Sequence, residues 1–559
     1  MTAAFSRRAW ILLAVAMAIV WFANLDVRKL QHPDEGRYAE IAREMVVSGD
    51  WVTPRLNGLK YFEKPPLQYW LTAAGFEAFG IEEWTARLPG ALAGLLTIAF
   101  VGYAASMLAS ATTGAYAALA LAGMVWPFGI AHVVTLDALL TFWLTGALCA
   151  FLLAQHWRAF PKQQQRWMLL AWAATAGGVL TKGLVALVIP SATLVIHALL
   201  TRDLAPWRQL HPVKGIAVLM LLAAPWFVLV SSRNPEFARF FFIHEHFQRF
   251  LTTEHRRTGA WWYFLPMVAA GLLPWTGVFV WRVRVAWKAP ADGPFAWVKF
   301  CLIWCAFVLV FFSLSGSKLP SYILPIFPAA ALVLGRELER IPQRTLMNFA
   351  ALAVVLTAVL WLASVAAWPR VADSFSDDRT PRALLDALGR WVAIALGIAT
   401  IGYAAGFAAF RRGKTRGRTV GIAAFSLATM AMMQVAYFGS DVFRATRSAA
   451  DLVATLERAS DPPYDPRAPF FQVRMYDQTL PFYLRRTTTL VAYRDEMALG
   501  LDAEPQLGIA AEQAWVEQWR ALPQGYALMA PETLRAYAAA GVPMRVVATD
   551  TRRVLVARR

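Results

Sequence analysis

Long apolar runs alternate with short charged segments along most of this chain. The runs are centred near residues 17, 98, 120, 147, 174, 191, 223, 272, 306, 328, 357, 400 and 428. Several reach about 18 to 22 residues with few charges, the length a helix needs to cross a hydrocarbon core, so the pattern predicts about thirteen transmembrane helices. Arg7-Arg8 precede the first run, Ala9 to Leu25, as in a signal peptide. No small-residue cleavage site follows at Asn24-Leu25-Asp26, so this run is expected to remain as an anchor.

The basic loops set the orientation. Arg7-Arg8 place the N-terminus inside. Thirteen crossings then put Trp157 to Arg166, Arg202 to Lys214, Arg282 to Lys288, Arg336 to Arg344 and Arg411 to Arg416 inside as well, and each of these loops is basic. A missed span would reverse the sign of every later loop. The outer face receives residues 26 to about 86, the turns at Asp137 and Lys182, residues 231 to 260, Ser313 to Ser321, Arg370 to Arg390 and everything after about 440.

Residues 26 to about 86 are too polar to cross lipid. Within them, Glu35 to Val47 places Tyr38, Ile41, Ala42, Met45 and Val46 at helical spacing, which predicts a helix lying flat on the interface. Leu67 to Gly80 is apolar but short, which predicts another interfacial or re-entrant helix. The last part of the chain changes character. Ser448 to Arg458 reads as a helix, as does Pro531 to Ala540, which ends at Gly541. Phe470 to Tyr476, Thr488 to Tyr493 and Val546 to Ala557 read as strands. The expected fold class is a polytopic α-helical membrane protein over residues 1–439, with a C-terminal soluble α/β domain over residues 440–559.

Composition supports this division. The chain is 58% hydrophobic with a mean hydropathy of +0.45, and the apolar excess is gathered into the runs. The formal charge of +18 is explained by basic inside loops and does not require nucleic acid. The three cysteines, Cys149, Cys301 and Cys305, all lie in apolar runs and read as packing residues.

Candidate chemistry begins at His32-Pro33-Asp34-Glu35-Gly36-Arg37-Tyr38, directly after the first run. A carboxylate beside lipid is costly unless it has partners or work to do. A second dense patch follows, Tyr61-Phe62-Glu63-Lys64-Pro65-Pro66. Asp34 reads either as a helix cap or as a working acid. Asp137, after Val133-Val134-Thr135-Leu136, carries the same two readings. Two acids at the outer ends of neighbouring spans can face one cavity, where they would hold hydroxyl or amino groups or serve as acid and base. Lys64 and Lys182 lie outside, where the topology rule does not favour cations. Lys182, in Thr181-Lys182-Gly183, reads either as a lysine at a helix C-terminus or as a phosphate ligand at headgroup depth. Arg249, in His244-Glu245-His246-Phe247-Gln248-Arg249, adds a cation, and Lys318 and Tyr322 add another cation and a hydroxyl. Several cations against an apolar wall suit a lipid-linked phosphate or diphosphate. His244 and His246 with Glu63 or Glu245 are candidate ligands for a metal that would brace the outer loops, although His-X-His is a common accident.

Asp34-Glu35-Gly36-Arg37-Tyr38, Gly49-Asp50-Trp51, Tyr61 to Leu67, Thr135-Leu136-Asp137 and Thr181-Lys182-Gly183 form a series in fixed order. In that series the chain resembles the lipid A aminoarabinose transferases, part of the wider protein O-mannosyltransferase-like GT-C class of membrane glycosyltransferases. Motifs carry the resemblance from residue 1 to about 335. Topology and the C-terminal domain carry it beyond. It implies a GT-C fold, a donor of undecaprenyl phosphate bearing 4-amino-4-deoxy-L-arabinose, and a lipid A phosphate as acceptor. It also implies a bacterial inner-membrane location, with the site and the C-terminal domain periplasmic, and resistance to polymyxin and other cationic antimicrobial peptides. Asp34 and Asp137 match active-site acids. Lys64, Lys182, Arg249 and Tyr322 match positions around the donor phosphate and cavity, and Glu35, Arg37, Tyr38 and Lys318 are expected at the substrate beside them. Glu63 with His244 matches a metal-binding pair, for a structural divalent ion such as zinc. No obligatory cofactor and no nucleotide sugar are expected.

A lipid A phosphate is already anionic near neutral pH, so it can attack the anomeric carbon without losing a proton. Asp34 is then expected to orient the acceptor or the amino sugar and to stabilise developing positive charge, not to act as a strong base. The cations would stabilise the departing polyprenyl phosphate, and Glu35, Glu63 or Asp137 would partner the sugar's ammonium. Inversion at the anomeric carbon is expected. One rival is a sister transferase with a hydroxyl acceptor on protein or glycan, which would need Asp34 as a base. Another is a lipid-sugar flippase, disfavoured because transporters place charges near the midplane and often show paired halves.

Overall fold

The computed structural model describes residues 6–248, 259–290, 292–377, 380–413, 415–459 and 463–558. Helices occupy all thirteen positions that the apolar runs predict. Among the described residues, eight are long and apolar enough to cross a bilayer, or ten if each of two bent pairs is one span. The first pair, Ala111–Ala122 with Val125–Ala131, bends by 64°, and the second, Phe264–Gly271 with Thr276–Lys288, bends by 104°. Three predicted spans fall short of this measure. Arg7–Phe22 has 16 residues and Val185–Thr201 has 17, while Pro161–Lys182 spends its first turns on Pro-Lys-Gln-Gln-Gln-Arg.

Side-chain and backbone bonds tie the helix ends together where the first helix leaves the bundle. Trp21 Nε1 donates to the Ala91 carbonyl at 2.9 Å. Gln434 Nε2 donates to the Val20 carbonyl at 2.6 Å. His132 places its two ring nitrogens 2.7 Å from the Phe128 carbonyl and 2.6 Å from the Trp21 carbonyl. Apart from the local His132–Phe128 contact, these partners come from segments far apart in sequence, so each such bond fixes one segment's height against another.

The 26–86 loop departs from the sequence-based expectation in one respect. Its helix, Asp34–Ser48, is covered by protein. Every residue from Glu35 to Met45 is buried. Tyr38, Ile41, Ala42 and Met45 pack with Tyr69 and Phe76 of the Leu67–Phe79 helix, and with Tyr476, Phe482 and Leu490 from the C-terminal region. The apolar stripe was legible, but its partner is protein. The polar face is covered as well: Glu40 pairs with Arg43 at 2.6 Å, and Arg43 donates to the Arg485 carbonyl at 3.3 Å. Gly36 permits this approach, since a Cβ there would lie 2.6 Å from the Gln478 carbonyl oxygen.

The C-terminal region is an α/β domain built on a six-stranded sheet of order β5-β4-β3-β6-β8-β7. The strands are β3 Phe470–Val473, β4 Thr489–Val491, β5 Gly508–Ile509, β6 Tyr526–Met529, β7 Met544–Thr549 and β8 Val554–Arg558; β1 Arg55–Leu56 and β2 Leu59–Lys60 form a separate small hairpin in the 26–86 loop. β3, β4, β5 and β6 run parallel, and β8 joins β6 and β7 antiparallel. All four residues of β3 and of β6 are buried, as expected for parallel strands covered on both faces. Trp515 and Trp519 cover one face, and Leu452 and Leu456 the other. The stretch Val546 to Ala557, expected as one strand, is two. Asp550 turns the chain between them by accepting from the Arg552 and Arg553 backbone N–H groups at 2.8 and 2.7 Å. β5 and β6 have no counterpart in the sequence reading.

This domain is bonded to the 26–86 loop along its length. Asn57 Nδ2 donates to the Thr488 carbonyl at 2.7 Å, and Asn57 Oδ1 accepts from Thr488 N at 2.8 Å. Arg55 pairs with Glu504 at 2.9 Å, and Leu30 N donates to the Tyr483 hydroxyl at 2.8 Å. Within this contact, Glu44 is buried and accepts from Gly58 N at 2.8 Å.

Burial and then the neighbouring Glu40 carboxylate push the Glu44 carboxyl from its ordinary 4.5 up to about 8. Between those values the folded chain holds a proton that the unfolded chain has released. Stability is therefore fully present below about 4.5 and falls as pH rises toward 8. The slope is at most roughly 1.4 kcal/mol per pH unit. Glu44→Gln keeps an acceptor for Gly58 and removes the titration. The expected outcome is a thermal midpoint in detergent that changes less between about pH 5 and about pH 8 than that of the unsubstituted protein, measured by thermal unfolding at several pH values.

Candidate active site at one end of the helix bundle

Glu35 organises the site from beneath. Its carboxylate is buried and surrounded by donors. Arg28 Nη2 and Arg87 Nε both reach Oε1 at 2.9 Å. Val134 N donates to Oε1 at 3.3 Å, and Gln31 N to Oε2 at 3.1 Å. Arg87 is also committed to the chain around it, donating to the Leu25 and Arg28 carbonyls at 2.7 and 2.6 Å. Burial alone would raise the Glu35 carboxyl, but Arg28 and Arg87 hold it down to about 2. Both oxygens are taken, so Glu35 has no capacity left for a sugar. This corrects the expectation that it lies on the substrate: it joins the loop start, the Glu83–Leu108 helix and the turn before Asp137.

Asp34, next to Glu35, is the first residue of its helix. The cap position belongs to Pro33, one residue before Asp34. Its carboxylate instead pairs with Arg37 Nη1 at 2.7 Å and stays 37% exposed, whereas the Arg37 side chain is 9% exposed. Arg37 Nη2 reaches Glu496 Oε2 of the C-terminal domain at 2.7 Å, and the Gln478 amide donates to Glu496 Oε1. The Arg37 guanidinium lies 5.9 Å from the Tyr38 ring, and that ring lies 6.0 Å from Tyr69. Burial, with Asp34 and Glu63 nearby, pushes the Tyr38 phenol well up. Glu63 also acts on Tyr61 and Glu496, so the second sequence patch borders the same cluster. Lys64 Nζ donates to the Glu63 carbonyl at 2.7 Å.

Asp137 forms a second centre. It lies in the first turn of the Leu136–His156 helix, and its carboxylate pairs with Lys182 Nζ. Lys182 ends the Pro161–Lys182 helix, where Gly183 takes a φ of 78° that a side chain would disfavour. The ammonium also lies 4.5 Å from the Tyr322 ring centroid, and Tyr322 lies 5.4 Å from Phe312. The structure thus brings Asp137, Lys182 and Tyr322 together from three separate stretches. Lys318 points elsewhere: its Nζ donates to the Ser313 and Ser315 carbonyls at 2.9 and 2.7 Å, tying its own loop. Val134, three residues before Asp137, bonds Glu35, the neighbour of Asp34, so the two centres stand on directly joined elements.

Arg249 and the side chain of His244 lie outside the described residues. The pairing of His244 with Glu63 at a metal is therefore not addressed, and no group of three His, Cys, Asp or Glu side chains comes together for a metal among the described residues. The residues that the sequence reading missed are Arg28, Arg87, Gln478 and Glu496. Arg87 opens a long apolar helix and reads there as an interface cation. Glu496 sits in Arg494-Asp495-Glu496, which in a soluble domain reads as a solvated turn. No local pattern marks either one, because their partners are far away in sequence.

Replacing Glu35 tests this foundation. Glu35→Gln leaves two buried guanidinium groups without their counter-charge, which costs about 3–5 kcal/mol for a buried pair. The expected outcome is a large drop in the detergent thermal midpoint, seen with no ligand present, and lower yield of folded protein. A variant as stable as the unsubstituted protein would remove Glu35 from this role.

Comparison with known proteins agrees with the geometry. Residues 456–558 match the family described as aminoarabinose transferase C-terminal domain. Residues 7–241 match dolichyl-phosphate-mannose-protein mannosyltransferase. An undecaprenyl phosphate-alpha-4-amino-4-deoxy-L-arabinose arabinosyl transferase of Erwinia tasmaniensis is 32% identical over 365 residues, covering 63% of this chain and 65% of the relative. A protein of the same name from Pseudomonas paraeruginosa is 35% identical over 345 residues, covering 60% and 61%. These alignments span just under two thirds of the relatives' length. The crystal structure of ArnT from Cupriavidus metallidurans bound to undecaprenyl phosphate superposes with a TM-score of 0.92 at 39% identity, covering 99% of this chain and 98% of that one. With a shared fold over nearly the whole length of both chains, and with its acids and cations gathered at one end of the bundle, the protein belongs to the ArnT family of aminoarabinose transferases.

Proposed function

We propose that the protein transfers 4-amino-4-deoxy-L-arabinose from undecaprenyl phosphate to a phosphate of lipid A, on the periplasmic face of a bacterial inner membrane, and thereby gives resistance to polymyxin and other cationic antimicrobial peptides. The observation that carries this reading is the end-to-end likeness to an ArnT held with undecaprenyl phosphate. The charge arrangement supports it. A polyprenyl phosphate headgroup is anionic, and Lys182 stands ready for it beside Tyr322. Asp137 pairs with Lys182. A phosphate would compete for that ammonium and release Asp137 toward the sugar, whose own ammonium needs a carboxylate.

In the transfer, an acceptor phosphate oxygen attacks the anomeric carbon as the bond to the undecaprenyl phosphate oxygen breaks. The leaving group departs with the electron pair, and the configuration inverts. No proton has to be removed from the nucleophile, so the half-exposed Asp34 serves as a fixed negative charge facing the sugar as it becomes cationic. Holding both lipids in one plane supplies much of the rate through proximity. The reaction written this way needs no cofactor. A divalent ion at Glu63 and His244 would brace the loops and take no part in bond making.

Transfer by the purified protein between defined polyprenyl sugars and lipid A, read by mass spectrometry, tests the reading. The expected product is lipid A heavier by one aminoarabinose. Asp34→Asn is expected to lower turnover about 10- to 100-fold and leave measurable product, whereas loss of a required general base costs about 100- to 10,000-fold. Lys182→Ala is expected to raise the donor KM by about tenfold or more. Product on a hydroxyl of protein or glycan, with Asp34→Asn silent at every pH, would move the assignment to a sister transferase. Movement of the lipid-linked sugar between leaflets without transfer would make the protein a flippase.

A further inference from the structure

The C-terminal domain reaches into the site through one side chain. Glu496 is mostly buried, with 11% of its side chain exposed, and it meets Arg37 at 2.7 Å. On the other side of the same guanidinium stands Asp34, also at 2.7 Å. Arg37 Nε is buried and has no hydrogen-bond partner. The guanidinium is therefore held at its two ends by two carboxylates, one from each domain. The Glu496 contact is short but lies off the hydrogen-bond direction, so it is chiefly Coulombic. Gln478, also from the C-terminal domain, fixes the other Glu496 oxygen. The close passage of Gly36 under the Gln478 carbonyl sets the distance between the two domains at this point.

We infer that Glu496 is a positioning residue for the transfer: it balances the Arg37 cation, so that the Asp34 carboxylate keeps its negative charge available toward the sugar. Burial pushes the Glu496 carboxyl up while Arg37 holds it down, and with all three groups ionised Asp34, Arg37 and Glu496 carry one net negative charge beside Glu63. Without the Glu496 charge, Asp34 and Arg37 neutralise each other, and the exposed end of the triad no longer attracts a cation. The C-terminal domain then tunes the electrostatics of a site whose other parts lie in the membrane domain. This inference rests on the proposed transfer for its kinetic consequence, but the clamp on Arg37 can be read without it.

Glu496→Gln preserves shape and removes the charge, and Glu496→Asp keeps the charge on a shorter arm. The kinetic test is transfer by the full-length protein from the aminoarabinose donor to lipid A. Loss of this Coulombic contact is expected to lower kcat in Glu496→Gln by about tenfold, with little change in donor KM. Glu496→Asp is expected to recover part of the loss, and both thermal midpoints are expected to fall less than that of Glu35→Gln, because Arg37 keeps Asp34 as its counter-charge. The second readout needs no sugar. Arg37 is expected to be slow to react with phenylglyoxal in the unsubstituted protein and faster in Glu496→Gln, as mapped by peptide mass spectrometry. Full kcat in Glu496→Gln overturns the inference, as does a loss that tracks a falling thermal midpoint, or equal labelling of Arg37 in both proteins. An unsubstituted protein that makes no product sinks the functional reading instead, and the labelling then decides the clamp alone.

Discussion

A buried carboxylate between two buried guanidinium groups holds this structure together at its working end. Glu35, Arg28 and Arg87 are all nearly sealed from solvent, with side chains 3%, 7% and 1% exposed. Removing such charges from water costs several kcal/mol each unless every lone pair and proton is met. Here the carboxylate and the guanidinium groups meet each other and backbone groups of two stretches, residues 25–31 and 132–134. The cost of leaving any one partner out is what fixes the arrangement. The first helix, the 26–86 loop, the Glu83–Leu108 helix and the turn before Asp137 cannot slide past one another without exposing a charge to an apolar surround.

That constraint explains why Asp34 and Glu35, adjacent in sequence, have opposite duties. On a helix, neighbours point about 100° apart. Glu35 turns into the cluster and is saturated. Asp34 turns out of it, keeps one side toward solvent and takes a single cation. A motif that reads as one acidic patch splits into a buried, fully bonded carboxylate and a partly exposed one.

The membrane fold was legible because it rests on a strong one-dimensional signal. Length and apolarity mark a span whatever packs against it, and each predicted run is helical. The count was less legible, because the criterion for a crossing depends on a helix's surroundings as well as its own sixteen or so residues. Asp34, Asp137 and Lys182 stand out in the sequence as charges beside apolar runs, and the fold brings Asp137 and Lys182 together with Tyr322. What could not be read was pairing. Asp137 and Lys182 are each compatible with a helix-end role in isolation, and only the fold joins them. Lys318 looked like an addition to the same group and instead ties its own loop. The Asp34–Ser48 helix had a clear apolar stripe, but a stripe does not say whether lipid or protein covers it. The covering domain lies some four hundred residues later, and Glu496 with it.

The two centres share a design in which fixed charges are paired before any ligand arrives. Asp34 is held by Arg37, and Asp137 by Lys182. Isolated charges at this depth would be expensive and would shift toward neutrality. Pairing keeps them ionised and pointed, at the cost of competition with the ligand. A ligand carrying both signs resolves that competition, because its anion replaces one carboxylate at a cation while its own cation takes the carboxylate released. A zwitterionic headgroup, an ammonium sugar on a phosphate, is such a ligand. A neutral sugar phosphate would displace Asp137 from Lys182 and leave that carboxylate with nothing to hold. Under the proposed transfer, discrimination would come from the penalty for the wrong ligand as much as from attraction to the right one. This requires that the pairs be pre-formed and that neither partner be free to relax into water. The Glu35 cluster supplies that stiffness on one side, and the clamped C-terminal domain supplies it on the other.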